Sequence, residues 1–238
     1  MSGDKGQDQK FQDRPAGSNL YGRRKGKKLR PHQASLIVDL LPQIAFDAGC
    51  KVTDLPGEFA GKPEQIWLEI GFGGGEHLAA EARAHRDWGF IGCEPFVNGV
   101  AKLLACIDAE KLDNLRVFQG DAAMLIAALP DGCLDGIYLL YPDPWPKRRQ
   151  RKRRFVSDEM LGHFARVLRR GAQLRFATDI DDYAGWTLAR ILRAPDFSWP
   201  AETAADWHAP WEGWQATRYE TKALTAGRKP VYLTFLRS

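Results

Sequence analysis

Long apolar runs are missing from this 238-residue chain; none approaches the roughly 20 residues that a membrane-spanning helix needs. Cysteine is scarce too. Cys50, Cys93, Cys106 and Cys133 are scattered, with no C-x-x-C pair. That excludes a zinc ribbon or a disulfide frame and leaves small buried hydrophobes in a reducing compartment. The start has no apolar signal-peptide segment, and Asp4, Asp8 and Asp13 argue against a transit peptide. A cytoplasmic protein without membrane association or bound metal is expected. Internal repeats are absent as well.

Net positive charge is also nearly missing from the body of the chain. The total is +4, yet residues 1–30 carry +6 and residues 147–154 carry +7, so the remainder is −9. Positive charge held in two places on an acidic body is the footprint of polyanion binding at defined sites. Apolar content of 44% and charged content of 27% are ordinary for a globular protein. The expected organisation is a flexible basic N-terminal arm, 1–30, followed by one domain, 31–238. Within the arm, 1–22 read as a disordered tail and 23–30 (RRKGKKLR) as the basic cluster.

The second cluster ends the stretch YPDPWPKRRQRKRR, Tyr141 to Arg154. Pro142, Pro144 and Pro146 each fix φ and restrict the residue before them. Asp143 and Trp145 should therefore be held rather than floppy, beside a strip that needs a polyanion to neutralise it. A stiff acid and aromatic pair next to a basic strip points to chemistry on a nucleic acid base. The plainer alternative is a turn followed by a solvated loop.

Around this stretch, strand and helix alternate. Pro31 to Phe46 has helical apolar spacing at Leu36, Ile37, Leu40, Leu41 and Ile44. Strands are predicted at 66–70, 89–94, 115–119, 134–140 and 172–177, with VYLTFL (231–236) as the last. Helices are predicted between them, including one from Ser157 to Arg169 stopped by Gly171, and one over 181–194. This spacing predicts an α/β fold of parallel βαβ units in a doubly wound sheet. Trp199, Trp207, Trp211 and Trp214 are expected to pack rather than to touch a ligand.

Such sheets bind ligands at the carboxyl ends of their strands, where this chain places acids. Glu69 precedes the turn Gly71-Phe72-Gly73-Gly74-Gly75; Glu94, Asp121 and Asp143 follow the next three strands. A dinucleotide fingerprint would require glycine where Glu76 stands, and a pyrophosphate would be repelled there. The E-x-G-x-G-x-G spacing is instead similar to the first motif of S-adenosylmethionine-dependent methyltransferases, whose cofactor carries a sulfonium cation. Glu94 could accept from ribose hydroxyls and Asp121 from the adenine amino group. Each acid alone could be a helix cap.

Taken together, LEIGFGGGEHL (68–78), GCEPF (92–96), GDA (120–122), YPDPWPKRRQRKRR (141–154), ATDIDDYA (177–184) and TRYETKAL (217–224) resemble the bacterial tRNA (guanine-N7)-methyltransferases over about residues 20–238. The resemblance implies a Rossmann-like, mostly parallel seven-stranded sheet with helices on both faces, and methyl transfer from S-adenosyl-L-methionine to N7 of a guanine in the tRNA variable loop, guanine 46. It also implies a cofactor site of Glu69, Gly71, Gly73, Glu94, Asp121 and Asp143, with Asp143 the catalytic acid. Lys147, Asp179, Thr217, Arg218, Tyr219 and Glu220 would bind substrate, and Arg149, Arg151, Lys152, Arg153 and Arg154 would bind RNA. No obligate protein partner is expected, and the chain would be a monomer or homodimer.

The chemistry bears on these roles. Guanine's N1–H and amino group want a carboxylate, from Asp179 or Glu220, and its O6 wants a donor, from Lys147 or Arg218. Tyr219 and Trp145 are stacking candidates for an extruded base, with packing on the sheet edge the alternative for Trp145. Three other readings compete: methylation of an exocyclic amine, an RNA-binding module on a degenerate cofactor fold, and a nicotinamide-dependent dehydrogenase. The first has D-P-P-W rather than P-D-P-W, the intact set of acids opposes the second, and Glu76 opposes the third.

Overall fold

The computed structural model describes residues 26–49 and 51–238. The expected tail, the cluster residues 23–25 and Cys50 lie outside the described residues. The first helix, α1 (Pro31–Asp39), opens on proline, where a missing N–H costs nothing. One helix reaching Phe46 was expected. Instead a separate short helix, α2 (Leu41–Ile44), follows, because Pro42 has no N–H to extend the first ladder.

The alternation then runs as predicted. Its first half is β1 (Ile66–Ile70), α3 (Glu76–Ala84), β2 (Gly89–Cys93), α4 (Val97–Glu110), β3 (Leu115–Phe118), α5 (Ala122–Ala128) and β4 (Leu134–Leu140). A 3-10 turn, Arg148–Arg153, leads to α6 (Asp158–Val167), β5 (Leu168–Thr178), α7 (Asp181–Ile191) and the two-residue β6 (Phe197–Ser198), which the sequence pattern does not predict. The chain closes with α8 (Ala205–His208), α9 (Arg218–Thr225) and β7 (Val231–Arg237). Ser157 caps α6 as expected, its hydroxyl accepting from the Met160 N–H at 3.1 Å.

Some ends differ, as where α7 stops at Ile191 rather than 194, and the difference with a clear cause is at the junction of α6 and β5. Helix α6 ends at Val167 rather than Arg169, and Gly171 lies inside β5 at φ +79°. The carbonyls of Arg166 and Val167 accept from the Gly132 and Cys133 N–H groups, and Leu168 already pairs with Leu134. Sheet pairing captures the end of the helix before the glycine is reached. The extra residues form a register shift, so that Gly136 pairs next with Gln173.

The sheet order is β3-β2-β1-β4-β5-β7-β6. Strands β1 to β5 are parallel, while β7 runs antiparallel between β5 and β6. Strand order reverses between β1 and β4, the crevice where such sheets take ligands. Side-chain alternation divides the core. Ile66, Leu68, Ile70, Ile137, Leu139 and Phe176 pack under α5, α6 and α7. Trp67, Phe90 and Tyr138 pack under α1, α3 and α4. Trp199 and Trp207 pack against the first cluster, and Trp211 and Trp214 against the second, as expected. Among the described residues no helix is long and apolar enough to cross a membrane.

Two anchors set the basic segments. Gly26 N–H donates to Asn98 Oδ1 at 2.7 Å and Asn98 Nδ2 donates to the Lys27 carbonyl at 2.6 Å. The described end of the arm, expected to be flexible, is thus tied to the first turn of α4. The other anchor is Arg154. Its side chain is 0% exposed, whereas the sequence placed it on RNA. Its Nε donates to the Pro144 carbonyl at 2.8 Å, its Nη2 meets the Asp182 carboxylate, and its cation lies 4.9 Å from the Tyr183 and Trp186 ring centres. Arg154 therefore turns inward and fastens the basic turn to α7. Arg154→Ala should cost about 2–4 kcal/mol of stability, from the lost packing and the orphaned carbonyl. Exposed Lys152→Ala should stay within about 0.5 kcal/mol of wild type. Urea denaturation of the two variants checks the contrast.

Candidate active site

The turn after β1 bends sharply enough to need glycine. Gly71, Gly73 and Gly75 sit at φ +73°, +60° and +80°. Helix α4 closes on this turn through Gly99, where a Cβ would lie 2.0 Å from the Gly73 carbonyl oxygen. A Cβ on Gly71 would meet nothing within 4 Å, so the turn is open at that residue.

Glu94, just after β2, braces the turn. Its Oε2 accepts from the Gly73 N–H at 2.7 Å and its Oε1 from the Phe96 N–H at 2.9 Å. Burial pushes its carboxyl above the ordinary range. The two N–H groups and the Arg218 cation oppose that rise, and the charge of Asp143 adds to it. Asp121 is buried after β3, and its Oδ1 accepts from the Ala123 N–H at 3.0 Å. It is thus a helix cap as well as an acid at the strand tip. Burial, and then the Glu94 and Asp121 charges, push the Cys93 thiol up, which places all three in one neighbourhood. Glu69 is 3% exposed and falls, by alternation, on the α3 side of β1, its Oε2 2.7 Å from His77 Nδ1.

At the tip of β4, Tyr141 and Trp145 hold left-handed φ values of +48° and +40°. Such conformations cost of order 1–3 kcal/mol each in a residue with a Cβ. Between them Asp143 is exposed, and its charge is felt at both Glu94 and Tyr183. The Trp145 ring lies 5.0 Å from the Arg153 guanidinium. Lys147, Arg149 and Lys152 are exposed, Arg153 is half-buried, and Arg151 donates to Asp182 at 2.7 Å.

The C-terminal motif reaches the same edge. Thr217 Oγ1 accepts from the Glu220 N–H at 3.2 Å and so caps α9. The Tyr219 ring passes so near the glycine turn that a Cβ on Gly73 would lie 3.3 Å from it. Arg218 stacks on that ring at 4.9 Å and donates to its hydroxyl at 3.0 Å. Asp179 follows β5 and accepts from Arg228 at 2.5 Å. Glu220 faces inward, 4% exposed, accepting from Trp214 Nε1–H at 2.6 Å and from the Tyr232 hydroxyl. Of the two acids expected to read guanine, Glu220 is therefore held inside the fold, and Asp179, 14% exposed, is paired with Arg228.

Sequence reasoning missed the polar cluster behind Glu69: His77, Glu81, Tyr138 and Arg175. The signal was available, since His77 and Glu81 stand at i and i+4 on the α3 face toward β1.

The acids at the tips, the glycine turn and Glu76 in the first turn of α3 suit a cationic ligand rather than a pyrophosphate. The raised Glu94 carboxyl carries a pH signature. A folded-state value above the unfolded one favours the native state at low pH. That contribution is lost as pH rises from the ordinary glutamate value through the elevated one. The stability of wild type relative to Glu94→Gln should thus decline over that rise, as measured by denaturant titrations of the two proteins from pH 4 to pH 8.

Comparison with known proteins bears on the family and the fold. Residues 63–233 match a family model described as "Putative methyltransferase". The chain is 55% identical over 221 residues to a tRNA (guanine-N(7)-)-methyltransferase of Rhodopseudomonas palustris (strain BisA53), covering 92% of this chain and 88% of that one. A protein of the same description from Brucella melitensis is 52% identical, with 93% and 96% covered. Among solved structures, the 16S rRNA (adenine(1408)-N(1))-methyltransferase from Catenulisporales acidiphilia superposes with a TM-score of 0.51 at 19% identity, over 81% of this chain and 97% of that one. That last likeness concerns the fold alone. Identity above one half across nine-tenths of the chain, together with the family model, means that this chain belongs to the tRNA (guanine-N7)-methyltransferase family.

Proposed function

We propose that this chain moves a methyl group from S-adenosyl-L-methionine to N7 of a guanine in tRNA, the variable-loop guanine 46. The observation that carries the proposal is the position of Asp143. It sits on a strained turn whose one flank is the row of acidic strand tips and whose other flank is the basic turn.

S-adenosylmethionine, when bound, supplies an electrophilic methyl on a sulfonium. Glu69, Glu94 and Asp121 would hold it against the glycine turn, with Glu94 facing the ribose and Asp121 the adenine. Guanine N7 offers an in-plane lone pair and no proton, so the chain needs no general base. Its work is alignment and electrostatics. Asp143, fixed by its prolines, stabilises positive charge as it develops on the purine. Tyr219 and Arg218 lie beside the glycine turn, where the extruded base would enter, and Asp179 is the acid left to read its Watson–Crick edge. Lys147, Arg149 and Lys152 face outward to the phosphates.

Asp143→Asn should retain the fold and the affinity for tRNA. Its single-turnover methylation of a tRNA transcript should slow by about 10²-fold or more. A rate equal to wild type would remove Asp143 from the reaction. Product mapping by borohydride–aniline cleavage, with a transcript lacking the variable-loop guanine as control, tests both the atom and the position.

The phosphate interactions have their own signature. Affinity for tRNA should fall steeply with salt, and Arg149→Ala with Lys152→Ala should flatten the log–log slope by about one for each phosphate no longer neutralised. Cofactor affinity should not change. Filter binding across a salt series, paired with calorimetry of the cofactor, measures both.

A further inference from the structure

Behind the glycine turn lies a buried polar cluster that the proposed chemistry does not use. His77, 2% exposed, occupies the first turn of α3. Its Nδ1 is 2.7 Å from Glu69 Oε2, and its Nε2 is 3.8 Å from Glu81 Oε1. Glu81 Oε2 in turn accepts from the Tyr138 hydroxyl at 2.8 Å, and that hydroxyl accepts from Arg175 Nη1 at 3.1 Å. The imidazole is walled by Tyr138, edge-on at 4.6 Å, and by Trp214 at 4.8 Å. Arg175 is itself enclosed by the rings of Trp67, Tyr138 and Trp211, at 5.1, 5.6 and 5.5 Å.

An apolar residue would fill the volume of His77 at lower desolvation cost. A histidine there makes sense for what it does to Glu69. A carboxylate in a strand has two oxygens and can rotate about its last torsion. One oxygen pinned at 2.7 Å by a ring that is itself packed on two sides fixes that rotation. The other oxygen then has one direction available to it. Trp214 extends the same fixation to the C-terminal motif, because its indole N–H donates to Glu220 at 2.6 Å, within α9.

We infer that His77 is a positioning residue for the methyl-donor site. Its Nδ1–H locks the Glu69 carboxylate in the orientation that receives S-adenosylmethionine, and Glu81, Tyr138 and Arg175 hold the imidazole in place. This rests on the reading of Glu69 as a cofactor acid. Preorganised groups lose affinity when their supporting contacts are left free to move. His77 would act through Glu69 and would touch neither the methyl group nor the RNA.

The test is calorimetric binding of S-adenosylmethionine to the full chain and needs no turnover. His77→Phe keeps the ring packing but removes the donor; it should weaken binding by about 10-fold or more, the scale of losing an outer-shell partner. His77→Asn places an amide N–H where Nδ1 was and should recover affinity to within about threefold. In a Glu69→Gln background, His77→Phe should change the constant by less than about twofold, because both act through one group. Unchanged affinity in His77→Phe, equal losses in Phe and Asn, or additive losses in the double variant would each overturn the inference. If Glu69→Gln alone binds as wild type does, the cofactor reading of Glu69 fails first and takes the inference with it. Should His77→Phe not fold, His77→Asn and the Glu69→Gln pair still decide: loss of affinity in a folded His77→Asn as large as that of Glu69→Gln overturns it.

Discussion

Parallel strands deliver their carboxyl ends to one edge, so acids placed after successive strands cannot avoid one another. Each buried carboxylate there loses solvation, and a neighbouring like charge adds to that cost. The fold accommodates this edge by giving the acids local donors. Glu94 takes two backbone N–H groups, Asp121 takes one as a helix cap, and Glu69 takes an imidazole. Burial still leaves Glu94 raised. An acidic edge held in this half-relieved state would be complementary to a cation, and its geometry is set by the fold itself.

The neighbouring charge of opposite sign has to be kept from collapsing onto those acids. Seven Lys and Arg residues lie within 147–154, directly after Asp143. Asp182 binds Arg151 and Arg154 and draws that side of the turn toward α7. Left-handed backbone at Tyr141 and Trp145 brackets Asp143, whose charge is felt at Glu94. A strained turn of this kind persists only where its surroundings over-determine it. Here the buried Arg154 provides that constraint, by gripping the Pro144 carbonyl. An arginine that reads in sequence as one more RNA contact is here an internal tie between the basic turn and α7.

Most of the fold was legible because its periodicities are strong. IWLEI and LDGIYLL are short apolar runs followed by turn residues, and they form β1 and β4 at the expected bounds. The acids at the strand tips were legible for the same reason, since position after a strand is a local property. What failed was non-local. Pairing of Leu168 with Leu134 overrode the glycine stop at Gly171. The inward turn of Arg154 depends on Asp182, and that of Glu220 on Tyr232, and neither partner can be inferred from spacing. The imidazole behind Glu69 was hidden in a motif read only for its glycines.

The direction of one strand explains how the C-terminal motif reaches a site built from the first half of the chain. Strand β7 enters antiparallel beside β5, so Val231 pairs with Thr178 at the carboxyl edge. Whatever immediately precedes β7 must therefore lie at that edge, and α9 does. A parallel seventh strand would have begun at the far side of the sheet and carried Thr217 to Glu220 away from the glycine turn. The antiparallel insertion sets Tyr219 beside Gly73, and Trp211 and Trp214, packed on Tyr232, hold the loop that leads there. Proximity of α9 to the glycine turn is thus a property of strand direction, reached without any lengthening of the chain between them.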